Sequence, residues 1–181
     1  MYWKRNLGMS KERVIDRFEV EEMLIRADCL RTKALIGTLW NTGHRVTEVI
    51  GIKKNDIWLD EKYLYFRMKV GKRRQEWIHT IKIPISALFS GHIIEHWQSI
   101  EGNEDLLFPI TRQYVDKLLK ALNPDIHAHL FRHSLATRFA EKGASKWELD
   151  AWFGWSERQN TAGQYVSKGT GMLDNLASKI D

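Results

Sequence analysis

In YLYFRMKVGKRRQEWIHTIKIPI, residues 63–85, the apolar residues recur with a period of two. Leu64, Phe66, Met68 and Val70 alternate with Tyr65, Arg67 and Lys69. Beyond GKRRQE, Trp77, Ile81, Ile83 and Ile85 fall on the opposite parity from Thr80 and Lys82. Successive side chains of a strand point to opposite faces, so each run predicts a strand with one buried face, and the basic link between them predicts a hairpin. An earlier strand near Asp56–Leu59 is placed to pair with it.

On either side of the hairpin the period becomes that of a helix. VEEMLIRAD (20–28) and LRTKALIGTLWNT (30–42) read as two helices. The second has Leu35 and Leu39, and Ile36 and Trp40, at four-residue spacing, and Gly43 ends it. RVTEVIG (45–51) follows as a short third helix. After Pro84, Ala87–Ser99 and Thr111–Leu122 are predicted helices, and His129–Lys142 carries Phe131, Leu135 and Phe139 as a core stripe. Ser145–Phe153 opens on a serine with a glutamate three residues later, the capping-box pattern, and stops at Gly154. Trp147 and Trp152 are expected in the core. MLDNLASKI (172–180) reads as a last helix. Residues 1–19 are highly charged and are expected to be loose, which leaves 20–181 as the domain, with 166–181 as its tail. The fold class is mainly α with a small antiparallel β-sheet (α+β), inserted after the third helix.

Composition narrows the function classes. With 181 residues the chain is long enough for one substantial core, and 43% hydrophobic content with eight tryptophans argues against disorder. Lys and Arg number 28 against 23 Asp and Glu, a balance that suits a nucleic-acid partner without specifying one. Cys29 is the single cysteine, which excludes an internal disulfide and a Cys-rich metal site. No apolar run approaches the ~20 residues of a membrane span. The expectation is a cytoplasmic protein with no membrane association.

Four segments carry residue types suited to chemistry. TGHRVTEVIGIKKNDI (42–57) places Arg45 just after a glycine break, with Glu48 further along. VGKRR (70–74) puts Lys72 in the hairpin link, beside Lys69, Arg73 and Arg74. HLFRH (129–133) sets His129 and Arg132 three residues apart, on one helix face. FGWS (153–156) precedes Tyr165 by ten residues from Trp155.

These segments resemble, in order, the boxes of the tyrosine recombinases and phage-type integrases. TGHRVTEVIGIKKNDI is similar to their TG-x-R-x-x-E box, HLFRHSLATRFAEKG to their H-x-x-R-H box, and FGWSERQNTAGQYV to their LGH-S segment with its terminal tyrosine; the hairpin lysine lies between. The resemblance covers about residues 20–170. One box alone is only suggestive, whereas four in order form a specific signal.

The resemblance implies the catalytic-domain fold of that family and a site-specific recombinase that cleaves and rejoins double-stranded DNA through a 3′-phosphotyrosine. It implies Tyr165 as nucleophile, Arg45 and Arg132 as a clamp on the phosphoryl oxygens, and His129 as the group that accepts or shuttles the tyrosine proton. His127, two residues earlier, lacks the arginine three positions on. Lys72 would protonate the leaving 5′ oxygen, with Lys69 as the alternative, and Lys69, Arg73 and Arg74 would contact the DNA backbone. Glu48 would orient His129 or an arginine, and His133 would support the site. No metal and no cofactor are implied, since the arginines supply the positive charge. Self-association in a tetrameric synapse is implied, with residues 166–181 docking either on a neighbour or in cis. Trp155 stands where most of the family has histidine; its indole N–H can donate to a phosphate oxygen. The interval from Trp155 to Tyr165 is one residue longer than usual. A type IB topoisomerase-like enzyme and a DNA-binding accessory protein without catalysis are the competing readings.

Overall fold

The structure, a computed structural model, describes residues 13–70, 77–155 and 161–166. The first helix, α1 (Arg17–Arg26), opens on Asp16, whose side chain accepts from the Glu19 amide while Glu19 accepts from the Asp16 amide. This reciprocal cap starts the helix three residues before Val20, and Ile15 ahead of it is already in the core. Helix α2 (Leu30–Thr42) covers the expected span and is buried along most of its length, packed against α1, α4 and α6. It ends at Gly43, whose φ of 61° is the left-handed cap conformation that favours glycine. A one-turn helix, α3 (Val46–Val49), follows.

Three antiparallel strands then form a sheet in the order β1 (Ile57–Leu59), β2 (Tyr63–Val70), β3 (Trp77–Pro84). In the β2–β3 register Leu64 lies opposite Ile83, Phe66 opposite Ile81 and Met68 opposite His79. Directly opposed residues share a face, so these pairs form the inner layer, with the five apolar members fully or nearly fully buried. Ile85, expected on this face, lies past the end of β3 and is exposed.

The fourth helix, α4 (Ser90–Ser99), starts three residues later than its apolar spacing implied. The chain first turns on Pro84, with the Ala87 amide donating to the Pro84 carbonyl, and Phe89 takes a left-handed φ of 69°. Helix α5 (Arg112–Leu122) is capped by the Thr111 side chain. Helix α6 (Ala128–Glu141) has Phe131, Leu135 and Ala136 among its many buried residues. Helix α7 (Lys146–Phe153) carries the expected Ser145–Glu148 capping box and ends at Gly154, φ 62°. Trp147 corrects an expectation: it is 64% exposed, because the buried face of this short helix is Leu149, Asp150 and Phe153. Helix α8 (Gly163–Val166) is the last described element; the helix expected over 172–180 lies outside the described residues.

Candidate active site

The helices α2 and α7 end beside one another, and their last carbonyls converge. A helix C-terminus leaves carbonyl oxygens without intrahelical donors and carries partial negative charge, so a buried cation is favoured there. Arg132, from the middle of α6, is that cation. It is 3% exposed and donates from Nη1 to the Gly43 carbonyl at 3.2 Å and from Nη2 to the Phe153 carbonyl at 3.0 Å. Its guanidinium carbon stacks 4.8 Å from the Phe153 ring centroid and 5.1 Å from that of Trp155. Burial, and after it the charge of Arg45, push its pKa down to about 10, so it stays protonated at neutral pH.

Arg45 stands at the start of α3, directly after the glycine break. The Glu48 carboxylate accepts from the Arg45 amide at 2.8 Å and from its Nη1 at 2.7 Å, so one acid fixes both the backbone and the side chain of the arginine. Glu48 is nearly buried while the Arg45 side chain is 44% exposed, which leaves guanidinium N–H groups turned outward.

Tyr165 reaches the same place from α8. Its ring stacks on Trp155 at 5.4 Å and 7° between planes, and its hydroxyl lies 3.3 Å from Nδ1 of His133, the neighbour of Arg132. Trp155 is itself stacked on Phe153 at 4.6 Å. An aromatic file of Phe153, Trp155 and Tyr165 therefore floors the site, with Arg132 against two of its members. His129 is exposed on the first turn of α6, one turn ahead of Arg132 and His133. The structure thus gathers Arg132, His133, Trp155 and Tyr165 by direct contact, and pairs Arg45 with Glu48 two residues from the Gly43 carbonyl that Arg132 holds.

Of the two lysine candidates, Lys69 lies within β2. Lys69 is exposed on the sheet face that carries Arg67, opposite to the face of Met68 and His79. Lys72, Arg73 and Arg74 lie outside the described residues.

Two residues that the sequence reading passed over also belong here. His44, 1% exposed, sits between Gly43 and Arg45; its Nδ1 is 3.0 Å from the Thr42 carbonyl and its Nε2 is 3.3 Å from Nε2 of His79 on β3. The His79 Nε2 is also 3.1 Å from the Trp152 carbonyl, and the Trp152 indole N–H donates to the Thr42 carbonyl at 2.9 Å. Burial first, and then the charges of Arg132 and His79, push His44 down to about 3; burial also lowers His79. The presence of His44 inside the TGHR segment was the one available signal. Nothing in the sequence pointed to His79 as its partner.

Chemically, the arrangement sets the Arg132 guanidinium, held by carbonyls, near a phenol and within reach of the charge of Arg45. That suits a phosphate ester with charge developing on its non-bridging oxygens. Among the described residues no helix is long and apolar enough to cross a membrane.

Comparison with known proteins identifies a family. The chain matches the phage integrase family over residues 13–170. It is 28% identical over 163 residues to tyrosine recombinase XerC of Erythrobacter litoralis, covering 83% of this chain and 51% of the relative. It is 32% identical over 133 residues to XerD of Halalkalibacterium halodurans, covering 64% and 42%. The chain thus spans about half the length of the curated relatives it matches. Among solved structures, XerH site-specific recombinase bound to its difH substrate superposes with a TM-score of 0.66 at 18% identity, covering 91% of this chain and 52% of the other. The catalytic domain of bacteriophage HP1 integrase superposes with a TM-score of 0.63 at 16% identity, covering 93% and 94%. On these grounds the chain belongs to the phage integrase family and has the fold of a tyrosine recombinase catalytic domain.

Proposed function

We propose that this chain cleaves and rejoins DNA at specific sites through a covalent phosphotyrosine at Tyr165. The observation that carries the reading is the meeting of the Tyr165 ring, Trp155 and the carbonyl-held guanidinium of Arg132. In this reading the Tyr165 oxygen attacks the phosphorus, the bond from phosphorus to the 5′ oxygen breaks, and the tyrosine becomes ester-linked to the 3′ phosphate. The phenolic proton passes to a histidine, His129, with His133 already within 3.3 Å of the hydroxyl in this state. Arg45 and Arg132 bind the non-bridging oxygens, each able to offer a fork of donors, and Trp155 adds an indole donor. Glu48 orients Arg45, in keeping with its two bonds to that residue. Lys72 protonates the departing 5′ oxygen. Rejoining reverses the step: a 5′ hydroxyl attacks the phosphotyrosine and releases Tyr165.

Double-stranded DNA is the partner, and self-association on DNA, with residues 166–181 as one candidate contact, completes the reaction as recombination. The test is a nicked suicide substrate that traps the covalent complex. Wild type is expected to give an adduct on a denaturing gel, and Tyr165→Phe to give none while retaining DNA binding, since only a hydroxyl is removed. An adduct with Tyr165→Phe overturns the assignment.

A further inference from the structure

The DNA-cleavage reading leaves His44 and His79 without a role, although they come from elements 35 residues apart and meet nose to nose. Their protons follow from their partners. A carbonyl oxygen only accepts, so Nδ1 of His44 carries a proton for Thr42, and neutral His44 then presents a lone pair at Nε2. Nε2 of His79 faces two acceptors, the Trp152 carbonyl and that lone pair, so it carries the proton that both share. The result is a directional link from β3 to the C-terminal ends of both α2 and α7. Apolar rings would fill the same space but make no such link.

The link sits where the sheet needs it. Among the described residues, β3 is an edge strand that pairs only with β2. Among the described residues no strand pairs with its other edge, and from the inner face of the sheet His79 adds a tie to the Trp152 carbonyl, one residue before the Phe153 carbonyl that seats Arg132. His44 supplies the second tie, one residue before Arg45. We propose that His44 and His79 form a positioning pair that holds β3, the strand that follows the Lys72 segment in the chain, in register with Arg45 and Arg132. This rests on the DNA-cleavage reading above. The charged and titratable groups acting on the pair are Arg132, Arg45 and Glu48. The pair touches no reacting atom. It sets the distance from β3 to the two arginines, on which the proposed delivery of a proton by Lys72 depends.

The role is read out by the one step that depends on that distance. DNA with sulfur in place of the bridging 5′ oxygen loses a thiolate, which needs no proton to depart. His79→Asn, whose amide nitrogen falls short of the Nε2 position, is expected to cleave ordinary DNA on the order of 10²-fold more slowly and to return to within about threefold of wild type on the sulfur substrate. His79→Gln, whose amide nitrogen reaches that position, is expected to stay near wild type on both. His44→Phe should match His79→Asn, and the double variant should be no slower than either, because the two act as one unit. The ratio of rates on the two substrates within one preparation is independent of the fraction folded. Equal slowing on both substrates, ordinary rates in His79→Asn, or additive losses in the double variant would each overturn the pair. A wild-type protein that forms no adduct on either substrate overturns the cleavage reading itself, and the pair's role falls with it.

Discussion

Arg132 is held by carbonyl oxygens instead of a carboxylate, and this decides what a substitution there does. A lysine ammonium is a point donor, which cannot span the Gly43 and Phe153 carbonyls while still offering a fork to a phosphate. Arg132→Lys is expected to lower the single-turnover cleavage rate by about 10²–10³-fold, the loss typical of a missing oxyanion donor. A near-normal rate would reduce the residue to a backbone contact. His44 makes a second residue-level prediction. Its pKa falls from 6.5 to about 3 on folding, so the unfolded chain binds the extra proton more readily. Its contribution to stability is complete above pH 6.5 and is lost as the pH falls toward 3, on the order of 4–5 kcal/mol over that window. Denaturant titrations at pH 7 and pH 5 should therefore show a smaller drop for His44→Gln than for wild type. An equal drop would mean that His44 takes up its proton in the folded state as readily as in the unfolded one. The neighbouring charges that disfavour its protonation are Arg132, His79 and Arg45.

The pleat of β2 assigns a face to Lys69. Lys69 shares the outer face with Arg67, across the sheet from His79. Lys69→Ala is accordingly expected to cleave within about threefold of wild type, whereas Lys72→Ala loses on the order of 10²-fold or more. The sulfur substrate should restore only the Lys72 variant, and restoration of the Lys69 variant instead would reverse the assignment. Much at this scale was legible in the sequence. The alternation of Leu64, Phe66 and Met68 against Arg67 and Lys69 reports a face directly, and the break at Gly43 reports a left-handed cap. Helix α4 was misjudged because the left-handed turn at Phe89 has no compositional mark, and Trp147 because apolar character alone does not say which side of a short helix is covered. Arg45, Arg132, Trp155 and Tyr165 were legible as residue types at spacings. The His44–His79 contact was not, because it depends on how a strand edge meets two helix ends, a distance in space with no period along the chain.

For the whole molecule, the net charge of +5 bears on the proposed binding of DNA. The affinity should fall linearly in log–log plots against salt, with a slope near −0.9 for each phosphate neutralised. Adduct formation should persist in EDTA, since the proposed clamp is two arginines. Cleavage that stops on chelation and returns with a divalent ion would contradict the proposed chemistry. The seat of Arg132 has one more consequence, for how such a molecule changes over generations. Its hydrogen-bond acceptors are main-chain carbonyls at positions 43 and 153, and every amino acid supplies a carbonyl. Drift that replaces the side chain at position 153 alters the ring beneath the guanidinium but leaves the acceptor in place. The arginine's anchorage is inherited with the path of the backbone, and that path holds position 43 to glycine, since a Cβ there would stand 2.8 Å from the Phe153 ring, while the acceptor at position 153 does not depend on the side chain it carries.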